Sequence, residues 1–328
     1  MPTIRDVAQH AGVSMKSVSR VLNGEAHVRP QLRDRVMAAV EALDFRPNLA
    51  ARQLAGHKSF IIAYPFNNPS AAYITEILMG AARTCRDHGY HLVSEPVELD
   101  DQMLPVIERL ITTLRPDGMI LTPPLCDMPA VVEHVARFKV PLVRIAGGLD
   151  LYGESIVIDD RTISRAMVAH LMEKGHRRIG FVLPHPEHAL AQRRFRGYLD
   201  GLAEAGIEPE PALIQPGRFD LESGAQAAAA LLDLPLPPTA IFASNDDMAL
   251  GALRVAHSRG LSVPDDLAIA GFDDSPASRL AYPALTTVRQ PTQLLGAAAA
   301  TILLGGALDP AAIKHELLIR GSTAKLAG

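Results

Sequence analysis

The sequence predicts a mixed α/β chain in which a small helical head precedes a larger body built on parallel sheets. Two patterns and one charge asymmetry point there. Residues 1–45 repeat apolar positions at helical spacing, whereas from Phe60 onward short apolar runs alternate with helical stretches. The net charge of −4 is unevenly spread: residues 1–59 hold nine Lys/Arg and five Asp/Glu, so the head carries +4 and the remainder −8. A basic module joined to an acidic body suits a polyanion-binding head. At 328 residues the chain is too long for one simple core.

In the head, Thr3 followed by Asp6 is a capping box with Asp in place of the usual Glu. Ile4, Val7, Ala8 and Ala11 then recur on one helical face. Gly12-Val13-Ser14 interrupts that helix, and Ser14 caps a second one, Met15–Leu22, with Val18, Val21 and Leu22 inward. Asn23-Gly24 stops it. A third helix, about Gln31 to Leu43, aligns Leu32, Val36, Ala39, Val40 and Leu43. Two short helices joined by a glycine turn, then a third, is a helix-turn-helix arrangement. The outward face of the second helix carries Met15, Lys16, Ser17 and Arg20. A major-groove reader needs such side chains, although an ordinary solvated face shows them too.

The body predicts strands at Phe60–Tyr64, His91–Ser94, Met119–Thr122, Leu142–Ile145, Ile156–Ile158, Ile179–Leu183, Ala240–Ala243 and Leu267–Ala270. Helices fall between them, among them Ala72–His88, Ile163–Lys174 and Leu190–Ala205. Alternation of this kind predicts parallel sheets covered by helices on both faces, and the length suits two such lobes. No GxSxG, HExxH, Walker loop or GxGxxG is present, so enzyme chemistry is not expected, nor a cofactor or metal. His185 and His188 sit in a Pro-rich loop. Cys85 and Cys126 lack CxxC spacing and are expected to be buried free thiols. The first residues form no signal peptide, and the longest apolar candidate, Gly296 to Leu308, is too short to span a bilayer. A cytoplasmic protein without membrane attachment is expected.

The order of residues in the head is more specific than its periodicity. Thr3-Ile4-Arg5-Asp6-Val7-Ala8, Ala11-Gly12-Val13-Ser14, Val18-Ser19-Arg20-Val21-Leu22-Asn23-Gly24 and Phe45-Arg46-Pro47-Asn48-Leu49-Ala50-Ala51-Arg52-Gln53-Leu54 resemble the head of the lactose/galactose repressor family. The resemblance implies a DNA-binding head over 1–46 and a hinge helix with linker over 47–59. Met15, Lys16, Ser17 and Arg20 would face base edges, with Arg20 aimed at guanine. Ser14, Ser19, Asn23 and His27 would hold phosphates. Thr3, Asn48 and Ala51 complete the DNA-facing set. Leu54 would be the hinge wedge in the minor groove, though on its own it reads as a helix-face leucine. Arg29 departs from the small polar residue usual before the third helix.

The resemblance continues through Gly175-His176-Arg177-Arg178-Ile179-Gly180-Phe181, Ala240-Ile241-Phe242-Ala243-Ser244-Asn245-Asp246, Gly271-Phe272-Asp273-Asp274 and Leu285-Thr286-Thr287-Val288-Arg289-Gln290-Pro291. It implies a two-lobed, periplasmic-binding-protein-like body over 60–328 with three crossover strands and a ligand cleft between the lobes. The N-terminal lobe would span about 60–159 and 291–319, the C-terminal lobe about 160–288 and 320–328. Arg194, Asn245, Asp273, Phe219 and Tyr73 carry over as effector contacts, with His188, Leu190 and Gln290 as weaker ones. Three have plainer readings: Asp273 as a loop aspartate, Phe219 as core, Asn245 as a helix cap. Arg144-Ile145-Ala146-Gly147-Gly148 departs from the polar or acidic residue often found after the fourth strand. Together these imply a homodimeric transcriptional repressor that binds pseudo-palindromic operator DNA under control of a small molecule, expected to be a sugar acting as inducer. A purine or other metabolite acting as corepressor is the alternative. A solute-binding protein for transport would need a secretion signal and no DNA-binding head.

Overall fold

Thr3 starts the first helix of the computed structural model, which describes residues 2–22, 28–45, 58–184, 189–307, 309 and 312–323. Its hydroxyl donates to Asp6 Oδ2 at 2.8 Å and accepts from Asp6 N at 3.4 Å, while Thr3 N donates to the same carboxylate at 2.7 Å. This capping box fixes α1 (Ile4–His10), and Gly12 at φ +62° turns the chain into α2 (Met15–Leu22). Helix α3 (Pro30–Ala42) starts on Pro30, whose missing N–H costs nothing there; Arg29 makes no side-chain cap. The three helices bury Val7, Val18, Val21, Val36, Ala39 and Phe45 in one small core. Residues 1–60 form one compact unit and 61–328 another.

The body opens with β1 (Ile61–Phe66), α4 (Ala71–Asp87), β2 (His91–Pro96), α5 (Met103–Leu114), β3 (Gly118–Leu121), α6 (Pro129–Arg137), β4 (Leu142–Ile145) and β5 (Glu154–Ile156). These five strands form a parallel sheet in the order β2-β1-β3-β4-β5. A second set follows: α7 (Asp160–Glu173), β6 (Ile179–Leu183), α8 (Ala189–Glu204), β7 (Ile214–Pro216), α9 (Leu221–Leu232), β8 (Ala240–Ala243), α10 (Asp246–Ser258) and β9 (Ala268–Ala270). Its strands are also parallel, ordered β7-β6-β8-β9. Strands β3, β4 and β8 are buried at every position, because helices cover both faces of each sheet.

The last elements are α11 (Pro276–Leu280), β10 (Thr287–Arg289), α12 (Thr292–Leu303) and β11 (Glu316–Leu318). Helix α12 packs on α4 of the first lobe so closely that a Cβ on Gly80 or Gly296 would run into the facing backbone. Strands β10 and β11 pair antiparallel, Thr287 opposite Leu318. Beyond β11 the chain returns to the second sheet, where Ile269 N donates to Ser322 O at 3.0 Å.

The expected strands are present, Leu142–Ile145, Ile179–Leu183 and Ala240–Ala243 with the expected ends and the others with shifted ones. The fifth lies at Glu154–Ile156 instead of Ile156–Ile158, because its edge register pairs Val143 with Glu154 and Ile145 with Ile156. Phe60 sits at φ +56° and stays outside β1. Strands β7, β10 and β11 have three residues each, too few to show a period.

Candidate functional site

Parallel sheets place ligands beyond the carboxyl ends of their strands, at the point where strand order reverses. In the first sheet that point lies between β1 and β3. Asn68 and Ser70 follow β1, and Pro123 follows β3. In the second sheet Asn245 follows β8 and Asp273 follows β9. All five line one cleft, together with Tyr73, Arg194, Phe219 and Gln290. Tyr73, Arg194, Phe219, Asn245, Asp273 and Gln290, distant in sequence, are therefore brought together. Leu190 lies in the first turn of α8, and His188 lies outside the described residues.

Arg194 is 3% exposed. Its Nε donates to Asp160 Oδ2 at 2.9 Å, Nη1 donates to Ser244 O, and its guanidinium carbon lies 3.7 Å from the centre of the Phe272 ring. Asp160, completely buried, has His315 Nε2 3.0 Å from its other oxygen. Burial works to raise the Asp160 carboxyl, but Arg194 and His315 outweigh it and hold the group below its ordinary range.

Asp273 sits at φ +123° and lines the cleft. Gln290 Nε2 donates to its Oδ1 at 2.5 Å, and Arg194 Nη1 is 3.9 Å away. Burial pushes Asp273 up to about 8 against the opposing pull of Arg194. Asn245 caps α10: its Oδ1 accepts from Met248 N at 2.9 Å, while Nδ2 donates to Phe219 O at 3.0 Å. The plainer reading of Asn245 thus holds alongside its place in the cleft. Phe219, at φ +65°, belongs to a core cluster on one side and lines the cleft on the other.

Two buried polar atoms in the cleft have no protein partner: Tyr73 Oη and Gln290 Oε1. An unsatisfied buried hydroxyl or amide oxygen costs about 1–3 kcal/mol, and a ligand that supplies the missing hydrogen bond recovers it. Asn68, Ser70 and Pro123 escaped the sequence reading, although each lies in the loop that follows an apolar strand and so carried a positional signal.

Arg144, the departure noted after the fourth strand, does not line this cleft. It is 2% exposed and donates to Cys126 O at 3.3 Å, Leu149 O at 3.0 Å and Leu151 O at 3.1 Å. Asp127 caps the same loop by accepting from Gly148 N at 2.7 Å. Cys85 and Cys126 are both buried and unpaired.

In the head, Ser14 accepts from Ser17 N at 3.1 Å and caps α2. Met15, 48% exposed, and Lys16 project from the first turn of α2, with Ser17, Ser19 and Arg20 partly exposed beside them. Polar and basic side chains thus stand at the start of the second helix. Thr3 is engaged in its capping box. Asn23, His27, Asn48, Ala51 and Leu54 lie outside the described residues. Among the described residues, no helix is long and apolar enough to cross a membrane, and no group of His, Cys, Asp or Glu could hold a metal ion.

Residues 3–48 match the model of bacterial regulatory proteins, lacI family, and residues 168–323 match a periplasmic binding protein-like domain. The HTH-type transcriptional repressor CytR of Escherichia coli (strain K12) is 34% identical over 334 residues, covering 99% of this chain and 97% of that protein. The HTH-type transcriptional repressor PurR of Haemophilus influenzae is 32% identical over 309 residues, covering 93% and 90%. Among solved structures, the lac repressor dimer bound to operator and the anti-inducer ONPF aligns with a TM-score of 0.78 at 28% identity, over 98% of this chain and 99% of that one. The complex of the transcriptional regulator CelR with cellobiose aligns at 0.73 and 28% identity, over 98% and 100%. The chain belongs to the lacI family of bacterial regulatory proteins. It is a DNA-binding transcriptional repressor with an effector-binding, periplasmic-binding-protein-like body, of a class that binds operator DNA and dimerises.

Proposed function

We propose that the protein is a cytoplasmic, non-enzymatic repressor that binds a pseudo-palindromic operator as a homodimer and is released by a sugar bound in the cleft. Residues 1–46 form the reading head, 47–59 the hinge helix and linker, and 60–328 the effector and dimerisation body. The observation that carries the effector reading is the pair of partnerless polar atoms, Tyr73 Oη and Gln290 Oε1, beside Asp273, Asn245 and Arg194. Hydroxyl groups of a sugar both donate and accept, so they match this mixed set. Phe219 and Tyr73 supply ring faces for the apolar side of a pyranose or furanose. The cellobiose complex of CelR supports a carbohydrate. Dimerisation has a surface to use: Leu280 and Tyr282 are 86% and 83% exposed side by side.

On the DNA, Met15, Lys16, Ser17 and Arg20 read bases, Ser14, Ser19, Asn23 and His27 hold phosphates, and Leu54 wedges the operator centre with Asn48 and Ala51 beside it. A ligand lowers operator affinity only by preferring the lobe arrangement that the operator disfavours. The test joins calorimetry to operator gel shifts. Sugars should bind, weaken the operator complex, and lose binding in Asp273→Ala. Arg20→Ala should cost about 1–3 kcal/mol of specific DNA affinity and leave sugar binding intact. No heat from any sugar, with a purine that tightens the operator complex, would overturn both ligand class and direction.

A further inference from the structure

The charges around the cleft narrow the ligand further. Arg194 is the cationic side chain among the described lining residues, and its charge is already matched. Its Nε is bonded to Asp160 at 2.9 Å, and His315 Nε2 lies 3.0 Å from the other Asp160 oxygen. Drawing Arg194 toward an incoming anion would strand a buried carboxylate, a costly exchange. The carboxyl of Asp273 stands 3.9 Å from the same guanidinium, on the side from which the anion would arrive.

Helix N-termini offer the other route to anion binding, and here they are met by carboxyls as well. Helix α10 begins at Asn245 with Asp246 and Asp247 in its first turn. Asp246 is buried and accepts from Ser275 N at 2.7 Å. Asp247 is hydrogen-bonded to Ser70, the N-cap of α4. Carboxyls thus already stand at the positive ends of α10 and α4. The atoms left wanting partners, Tyr73 Oη and Gln290 Oε1, are neutral.

We infer that the cleft selects an uncharged, hydroxyl-bearing ligand and rejects its phosphorylated form. The inference rests on the effector-cleft reading above. Arg194 supplies N–H donors to neutral oxygens without supplying net charge.

The test titrates the purified full chain by calorimetry with D-ribose and ribose 5-phosphate, D-glucose and glucose 6-phosphate, adenosine and its 5′-phosphate, and inorganic phosphate alone. In whichever pair binds, the unphosphorylated member should be tighter by about 100-fold or more, since like charges placed face to face are strongly disfavoured. Inorganic phosphate should give no saturable heat. Asp160→Asn, which strips Arg194 of its counter-charge, should narrow the ratio at least about tenfold, with operator binding as the check on folding. Asp273→Asn, nearly isosteric, should narrow it further only above pH 8, where the Asp273 carboxyl is ionised. A phosphorylated member that binds as well or better, or saturable phosphate binding that Arg194→Ala abolishes, overturns the inference and leaves the effector cleft standing. Silence from every probe removes the cleft reading and the inference with it.

Discussion

Two buried arginines make an instructive pair. Arg144 lies at the end of a strand in the first lobe and Arg194 on a helix of the second, and both are at most 3% exposed. Each has an aspartate beside it, Asp127 at 3.9 Å and Asp160 at 2.9 Å. The difference is where the remaining donors go. Arg144 gives its hydrogen bonds to three backbone carbonyls and closes the loop that follows its own strand. Arg194 bonds to groups on two other elements and lies over Phe272, with its edge on the cleft. Burial of a cation therefore does not mark a ligand site. What sets Arg194 apart is that segments of both lobes converge around it in the cleft.

The comparison breaks most readily at Arg144. Arg144→Ala should destabilise the body by about 3–5 kcal/mol, because Asp127 loses its cation and three carbonyls lose a donor. Chemical denaturation measures this; a loss below about 1 kcal/mol would mean that Arg144 does not organise its loop. Effector affinity at low temperature should be nearly unchanged.

A smaller effect separates the two sites by pH. The Asp273 carboxyl is raised to about 8 from 3.8, so between these values the native state holds a proton that the unfolded chain has released. Stability should therefore fall as pH rises across that window, reaching its minimum contribution above pH 8. Asp246, pushed by burial up to about 6, adds the same sign over a shorter window. Asp273→Asn should remove its share, so the variant gains on the parent by on the order of 2 kcal/mol between pH 5.5 and 8.5 in urea titrations. A constant difference across that range would show that Asp273 does not titrate there.

The smallest effect probes the loop that Arg144 closes. A Cβ on Gly147 would lie 2.9 Å from Arg144 Nη1 and 3.0 Å from Ser155 Oγ. Gly147→Ala should cost about 1 kcal/mol, seen as a lower Tm. The same loss in an Arg144→Ala background would disprove the crowding, since the two changes should be non-additive.

The head was legible almost residue by residue. Its boundaries are set by local chemistry, such as Thr3 with Asp6, Gly12 and Ser14, and its core follows helical spacing. The body's strands were legible, those at Leu142–Ile145, Ile179–Leu183 and Ala240–Ala243 to the residue and the others with ends off by one or two. Short strands such as β10 and β11 were not, because three residues have no period and their pairing partner lies far along the chain. In the cleft, family motifs pointed to Arg194, Asn245, Asp273, Phe219 and Tyr73. Asn68, Ser70 and Pro123 went unseen, since a polar loop residue shows its direction only once the sheet order is known.

By itself the sequence determined the helical head, the alternation that makes parallel sheets, the basic and acidic halves, and the family. These follow from capping, periodicity and composition, which act over a few residues or simply add along the chain. Only the tertiary structure decided that His315 lies against Asp160 behind Arg194, and that Arg144 serves a loop. The first depends on contacts across 34 and 155 residues of chain, the second on contacts across 5, 7 and 18. The pairing of charges in a buried site is fixed by which segments meet there, and no local pattern records it.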